Sequence, residues 1–549
     1  MVVKAKFVSS LEKVFLDSDY ESIKSVDKLS FFKNERVSFQ LVVSFEESTN
    51  HAERFVLRTD TTLGEHSLRE VKSVPVSFAM FPGIKDGVLR TEPGLYPDVL
   101  IPLRYENSVT LLYNQLQSVF VTFDAALAPG VHTFTAELVR GDTVYCSTSI
   151  TLDIIDCELP KQETSFTQWF HYDALSYYYN EEMFSEKYFE ILKNYVRTAV
   201  KNGINTLLTP VLTPAFDTIP GHDRLTAQLV RIEKDENTYK FDFSLFEKFV
   251  KICRECGTER FEISPFFTQW GAAHAPKVMA YENGEYKKIF GWDTDSCSEE
   301  YRTFLRALIP ALKEKMSSLG ILKTALFHIS DEPNKNVYEK YKAAKSGISD
   351  LLSDVKVVDA LSDFEFYKSG IIDNPIPSID HAEPFVDAEI DDLWVYYCSA
   401  QYSRVSNRFI CMPSSRTRII GIQMYKYNIS GFLHWGYNFY NNSGSYDHVN
   451  PYLFTDGDNW VPAGDTYSVY PAQDGTAHES IRLCVFYDAL QDIRALKLAE
   501  SFIGRDAVLK LIEEGLEKPL TFKDYPMSPD YILNLRKKIN DAVKEKLNG

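Results

Sequence analysis

The sequence predicts a multidomain α/β protein. An N-terminal antiparallel β-sandwich is expected over residues 1–159, a central (β/α)8 TIM-like barrel over 160–476, and a C-terminal helical region over 477–549 packed on the barrel. Three observations predict it. Short β-rich runs alternate with turn residues up to Pro160; amphipathic helices then alternate with apolar strands, eight of them by count; and beyond about residue 477 the apolar pattern is helical throughout. A chain of 549 residues also exceeds what one hydrophobic core supports.

In the first region "RVSFQLVVSF", "QSVFVTFDA" and "VHTFTAELV" are period-two runs separated by turns such as "APGVH" and "RGD". The last strand, "STSITLDIIDCELP", stops at Pro160. In the second region "SEKYFEILKNYVRTAVKNG" places Tyr188, Leu192, Tyr195 and Ala199 on one helical face, with Ser185 set to cap the start and Gly203 to end it. The strand "INTLL" follows. The unit recurs as "SLFEKFVKICRECG" into "RFEISPFF", "SEEYRTFLRALIPALKEKMSSLG" into "KTALFHIS", "VYEKYKAAKSGISDLLSD" into "VKVVDALS", and "SSRTRIIGIQMYKYNIS" into "GFLHWGYN". With "SFTQWFHY" opening the series, "DLWVYYCSA" and a sixth strand near "IPSIDHAE", the strands number eight, enough to close a barrel. An open doubly wound sheet would carry a glycine-rich phosphate loop after one of its strands, and none is present. "SIRLCVFYDALQDIRALKLAES" and "SPDYILNLRKKINDAVKEKL" form the C-terminal helices.

Composition narrows the partners. A net charge of −18 repels nucleic acid and anionic membrane surfaces. No run approaches the roughly 18 apolar residues of a membrane span, and no signal peptide is visible at the start, so the chain as written reads as cytoplasmic; a secreted or surface protein lacking its leader would read the same. The eight cysteines are scattered rather than arranged as a disulfide scaffold, and Cys253 and Cys256 in "CRECG" read as buried helix thiols, because no second ligand pair stands at zinc spacing. The 32 Tyr and 37 Phe exceed what a core needs, and exposed aromatic faces suit the apolar faces of sugars.

The feature that asks for chemistry is "LFHISDEP", where Asp331 and Glu332 stand side by side after the fourth strand. Barrel enzymes carry their reactive groups at the carboxyl ends of the strands. Both carboxylates can serve one pocket only if the backbone turns there, and Pro333 is expected to hold Glu332 extended while it does so. Two acids crowded in a partly dry pocket push their pKa values apart, leaving one anion and one proton donor. A nucleophile and an acid that straddle a sugar ring stand about 5 Å apart on opposite sides of it, which sequence neighbours do not easily do. A substrate that brings its own nucleophile, a 2-acetamido oxygen, removes that requirement. Taken alone, an Asp-Glu before a proline also reads as the N-cap and first-turn acid of a helix starting near Asn334.

"FHISDEP", "GFLHWGYNFY", "DGDNWVPAGDTYSVYP" and "ESIRLCVFYDALQD", together with "NERVSFQLVV" near the start, resemble glycoside hydrolase family 123, the β-N-acetylgalactosaminidases, and the wider group that shares its catalytic domain. The resemblance runs in order along nearly the whole chain. It implies a sandwich, a barrel and a C-terminal region, and retaining, substrate-assisted hydrolysis, with Asp331 as the acetamide stabiliser and Glu332 as the general acid/base. One departure is local: "NWVPA" stands like an insertion where a simpler Asp-Gly-Asp-Gly run is expected, which bears on loop shape and subsites.

An acetamido pocket needs an apolar wall, a donor for the carbonyl oxygen and an aromatic floor. Strand ends offer Trp169 and His171, Gln269 and Trp270, Trp394 and Tyr396, and Trp435, Tyr437 and Asn438. Tyr396 is the expected donor to the acetamide carbonyl and Trp435 the expected floor, while His328 is expected to hydrogen-bond near the acids from behind, and His434 likewise. The zincin spacing is absent, and the expected chemistry needs no metal and no cofactor. The expected substrate is a glycan or glycoconjugate with a terminal β-linked 2-acetamido sugar. Two other readings remain at this point: a glycosidase pairing Glu332 with a distant carboxylate such as Asp380 or Asp359, and a glycan-binding protein without catalysis.

Overall fold

The structure is a computed structural model and describes residues 2–46, 51–60 and 62–548. The N-terminal part is two five-stranded sheets. One runs Val3–Ser9, Val37–Phe45, Leu116–Phe123, Ser67–Val76 and Gly94–Pro102, antiparallel throughout. The other runs Lys28–Phe32, Thr143–Ile155, Gly130–Arg140, Glu53–Thr59 and Ser108–Leu111. Its first pair is parallel, a departure from the expected all-antiparallel sandwich: the long connection from Phe32 to Thr143 frees Lys28–Phe32 to run either way. The inner faces interdigitate as stacked sheets do, with Phe7 and Phe39 of the first sheet meeting Phe134 of the second at 5.9 and 5.5 Å between ring centres.

Eight short parallel strands follow: β1 Ser165–Gln168, β2 Thr206–Thr209, β3 Arg260–Ile263, β4 Leu326–Phe327, β5 Lys356–Ala360, β6 Asn374–Ile376, β7 Trp394–Tyr396 and β8 Gly431–His434. Strands β2 to β6 form one sheet in sequence order, and β7, β8 and β1 another. Two seams join them. The Asn205 N–H donates to Phe166 O at 3.2 Å between β1 and β2, and Ser378 bridges Tyr396 in parallel just past β6. Leu208, Leu326, Val358, Ile376, Trp394 and Leu433 pack together as one cluster of buried side chains from β2, β4, β5, β6, β7 and β8.

Helices between the strands form as the periodicity predicts. Ser185 Oγ accepts from the Tyr188 N–H at 3.1 Å to cap Glu186–Lys201, whose buried face includes Tyr188, Leu192, Tyr195 and Ala199, and Gly203 takes φ 81° just past its end. Cys253 is a buried helix thiol as expected, whereas Cys256 is half-buried just past the helix end, where it donates to Lys193 O. A four-stranded sheet made of Arg231–Asp235, Thr238–Asp242, Val278–Glu282 and Glu285–Phe290 is inserted beside β2 and β3, where the charged, half-exposed runs gave no clear strand signal.

The C-terminal helix Ile481–Ile503 reaches the core of the parallel strands, its Phe486 stacking on Phe166 at 4.4 Å and touching Phe432 at 4.9 Å. It lies against helix Ser414–Lys426 so closely that a Cβ on Gly421 would sit 2.2 Å from Ala489 O. Gly421→Ala is therefore expected to force the two helices apart at a cost of about 1–3 kcal/mol, read as a lower urea midpoint at unchanged slope. Among the described residues no helix is long and apolar enough to cross a membrane.

Candidate active site

The carboxyl ends of the parallel strands open into a cleft with a cavity volume of about 170 Å³. Phe216, Trp169, Ala360 and Leu433 give it apolar lining, and Trp270, Trp435 and Trp460 add aromatic walls. Its polar lining is Asp217, Gln269, Asp331, Glu332, Tyr396, Cys398 and Ser399.

Asp331 and Glu332 both reach this cleft. They do so because Glu332 itself takes φ 44°, in the left-handed region that non-glycine residues rarely adopt. This corrects the expectation that Pro333 holds Glu332 extended: the turn is made at Glu332. Two backbone bonds fix it, from the Trp270 N–H to Asp331 O at 2.7 Å and from the Glu332 N–H to Ala360 O at 2.9 Å. Neither acid caps the next helix. Asn334 does so, its side chain accepting from the Asn336 N–H at 3.0 Å.

The Tyr396 hydroxyl donates to Glu332 Oε1 at 2.6 Å, so the expected acetamide donor is paired with the acid. Among the described residues no donor reaches the Asp331 carboxylate. Its pKa is pushed well above the carboxylate range, by burial first and then by the Glu332 charge, with His328 opposing. Burial also raises Glu332, against the pull of the Tyr396 hydrogen bond.

Beneath the pair lies a buried ionic chain. His328 Nε2 meets Glu262 Oε1 at 2.6 Å and Nδ1 meets Asp359 Oδ1 at 3.3 Å. Burial pulls the imidazole down, but hydrogen bonds to Asp359 and Glu262 overcome it and raise His328 to about 10. Glu262 in turn accepts from Trp169 Nε1 at 2.8 Å, and Asp359 accepts from the Ile329 N–H at 3.0 Å, tying the chain both to the cleft wall and to the strand end that carries the acids. A folded-state pKa above the ordinary 6.5 contributes stability fully present below that value and lost as pH rises toward 10. The unfolding free energy of the wild type relative to His328→Gln is thus expected to shrink by about 1.4 kcal/mol per pH unit across that window, measured by urea unfolding. A difference independent of pH would refute a charged His328.

Five expected contacts lie outside the cleft. His328 is fully buried in the ionic chain, the supporting place expected for it. Trp394 and Tyr396 do share a side of β7, but Trp394 is the first residue of the strand. Its ring lies over Gly431, the first residue of β8, and 5.8 Å from Lys356, the first of β5, so it occupies the amino end, away from the site. Tyr437 follows the end of β8, where the alternation with Trp435 no longer holds; its ring packs on Phe170 at 4.3 Å and its hydroxyl donates to Tyr195 O. Asn438 is spent on the backbone of His171, accepting from its N–H at 2.9 Å and donating to its carbonyl at 3.1 Å. His171 donates from Nε2 to Trp435 O at 2.8 Å, and burial with the neighbouring Arg224 charge lowers it to about 3, so it is a neutral prop behind Trp435.

Trp435 is further fixed by its Nε1–H donating to Asp465 Oδ2 at 2.9 Å, while burial raises Asp465 to about 6 against Arg408. His434 is also buried, its Nδ1 accepting from the Gly436 N–H at 3.0 Å, and burial with Arg408 holds it neutral. The distant carboxylates weighed as partners of Glu332 are occupied elsewhere. Asp359 belongs to the ionic chain, and Asp380 accepts from Ser378 Oγ at 2.6 Å and Gln401 Nε2 at 3.1 Å; neither lines the cleft.

The sequence reading missed Asp217, Phe216, Cys398, Ser399 and Trp460. Trp460 lies in the "NWVPA" stretch and stands 5.7 Å from Trp435, so the local departure noted in the sequence shapes the cleft directly. Asp217 follows β2 at φ 46°, its carboxyl raised to about 7 by burial, with Arg224 opposing and Glu332 adding.

Comparison with known proteins bears on the family and the fold. A family model described as "Glycoside hydrolase 123, catalytic domain" matches residues 169–499. A family 123 glycoside hydrolase from Clostridium perfringens, solved in work on glycolipid glycan hydrolysis, superposes with a TM-score of 0.73 at 14% identity, covering 100% of this chain and 98% of that one. A family 39 glycoside hydrolase from Bacteroides cellulosilyticus WH2 overlaps with a TM-score of 0.32 at 11% identity over 80% of this chain and 82% of that one, too loosely to bear on the fold. No curated protein matches the sequence.

Proposed function

Because the chain belongs to the glycoside hydrolase 123 family, and is a glycoside hydrolase, we propose that it is an exo-acting retaining β-N-acetylhexosaminidase, with terminal β-linked GalNAc as its sugar. We read the eight parallel strands as one (β/α)8 barrel whose eighth helix is Ile481–Ile503. The sandwich then occupies residues 1–159, and the C-terminal region from 477 shares its first helix with the catalytic unit that begins at 160.

One observation carries the mechanism: neighbouring acids, Asp331 and Glu332, both line one cleft at the end of β4. Glu332, its pKa raised by burial, gives its proton to the glycosidic oxygen as the bond to the anomeric carbon breaks. The 2-acetamido oxygen of the substrate forms the new bond from the opposite face, and Asp331 accepts the acetamide N–H, balancing the positive charge of the oxazolinium ring. Tyr396, released from Glu332, orients the carbonyl oxygen. Glu332, now ionised, takes a proton from water, which opens the ring at the anomeric carbon with net retention. The apolar Trp169 and Phe216, stacked at 4.2 Å, can enclose the acetamide methyl, and Trp435 supports the ring.

The test is a panel of aryl β-GalNAc and β-GlcNAc substrates beside their 2-hydroxy counterparts, with a thiazoline inhibitor. Turnover of the acetamido sugars alone, thiazoline inhibition and a β-configured first product are expected. Equal turnover of the 2-hydroxy sugars would sink the mechanism, and binding without product would favour the glycan-binding reading. Glycolipid glycans, the subject of the Clostridium perfringens work, are the natural substrates to try first.

A further inference from the structure

Asp217 is a third carboxyl group opening into the cleft, and the proposed reaction uses only two. Its backbone is held on both sides. The Asp217 N–H donates to Gln269 Oε1 at 2.8 Å, and Ser445 Oγ donates to Asp217 O at 2.7 Å, with the residue at φ 46° between them. Its side chain is left unspent, for among the described residues no donor reaches the carboxylate. Gln269 is complementary. It is only 6% exposed, lines the same cleft, has committed its oxygen to Asp217, and its Nε2 amide is buried without a partner. Buried donors are paired in nearly all proteins, so a lone one on a side chain that lines a cleft points to a ligand acceptor.

The geometry points to Asp217 and Gln269 as a hydroxyl clamp for the terminal sugar, the carboxylate accepting from one hydroxyl and the amide donating to its neighbour. This rests on the hexosaminidase reading and names what fixes the rest of the ring. An anion is excluded by the acids at 217, 331 and 332, and an ammonium group would leave the amide donor unmet. Neighbouring hydroxyls satisfy both.

Position says which hydroxyls. Gln269 adjoins Trp270, whose N–H holds Asp331 O, so the clamp stands beside the strand end that carries both acids. Tyr396 holds Glu332 from β7, on the far side of the strand ring. The clamp, past the ends of β2 and β3, stands across the cleft from Tyr396, the donor to the acetamide carbonyl, so it meets the hydroxyls of the terminal sugar away from the acetamide.

The experiment measures kcat/KM for wild type, Asp217→Ala and Gln269→Glu on aryl glycosides of whichever terminal sugar the wild type cleaves, together with their 3-, 4- and 6-deoxy analogues. Gln269→Glu keeps the oxygen that holds Asp217 and removes the free amide donor. Each variant is expected to lose about 10- to 100-fold on the parent sugar and almost nothing further on the one analogue that lacks its partner hydroxyl, the two analogues being neighbours on the ring. A loss that is equal across all analogues, or no loss at all on aryl substrates, overturns the clamp. If Asp217→Ala does not fold, Asp217→Asn, which keeps the side-chain shape, is run on the same panel. The wild type's choice between acetamido and 2-hydroxy sugars tests the hexosaminidase reading separately, since the clamp is judged only on ratios within one sugar.

Discussion

Glu332→Gln is expected to lower kcat by about 10²- to 10⁴-fold on a substrate whose leaving group is a sugar or alkyl alcohol, and by far less on a nitrophenyl glycoside. A poor leaving group needs its proton in the transition state, whereas a nitrophenolate departs without one. The amide keeps the size of the side chain and can still accept from the Tyr396 hydroxyl, so binding is largely preserved. The pH dependence follows from the same group. Burial raises the Glu332 pKa, so the acid form persists to higher pH than for a free carboxyl, and kcat/KM falls as pH rises through the raised value. In Glu332→Gln that alkaline limb should vanish. Steady-state rates on matched alkyl and nitrophenyl substrates decide the matter, and equal losses on both would remove Glu332 as the proton donor.

The second large effect is Asp331→Asn, expected to cost about 10²- to 10³-fold on every leaving group, activated ones included. Asp331 acts on the nucleophile, and no leaving group can substitute for it. Among the described residues no donor reaches its carboxylate, which lines the cleft. Burial and the Glu332 charge hold its carboxyl above the usual carboxylate range; an acetamide N–H beside it, gaining positive charge as the ring closes, favours the ionised form. Asparagine has the shape without that charge. The contrast between the two variants, one sensitive to the leaving group and the other indifferent, is read from the same substrate pair. An Asp331→Asn enzyme rescued by a good leaving group would assign it a different role.

Much of the architecture is legible because it rests on periodicity. The helix faces at Tyr188, Leu192, Tyr195 and Ala199, the cap at Ser185, and the alternation with apolar strands all follow from local rules. Asp331, Glu332, Tyr396, Trp169, Trp270 and Trp435 are found for the same reason, since residues at strand ends must lie near the mouth. What the sequence hides is the direction of side chains once the strand stops. Asp217, Trp270 and Glu332 line the cleft with φ of 46°, 62° and 44°, a conformation that no pattern of non-glycine residues announces. Trp394 and Tyr437 fail on the same account, one lying a strand length too early and the other past the last paired residue. The ionic chain of Glu262, His328 and Asp359 spans three separate strands, so only the fold assembles it.

The fully buried pairing of Arg482 with Asp98 has a practical consequence. Arg482 Nε and one terminal nitrogen donate to the Asp98 carboxylate, each at 2.8 Å, and Lys13 Nζ donates to Ile410 O at the same distance, so sandwich residues complete charges and carbonyls seated in the catalytic half. Expressing residues 160–549 on their own would strip a guanidinium of its counter-ion inside an apolar wall, and such a truncate should be recovered as insoluble aggregate, with solubility restored by supplying residues 1–159 as a separate polypeptide.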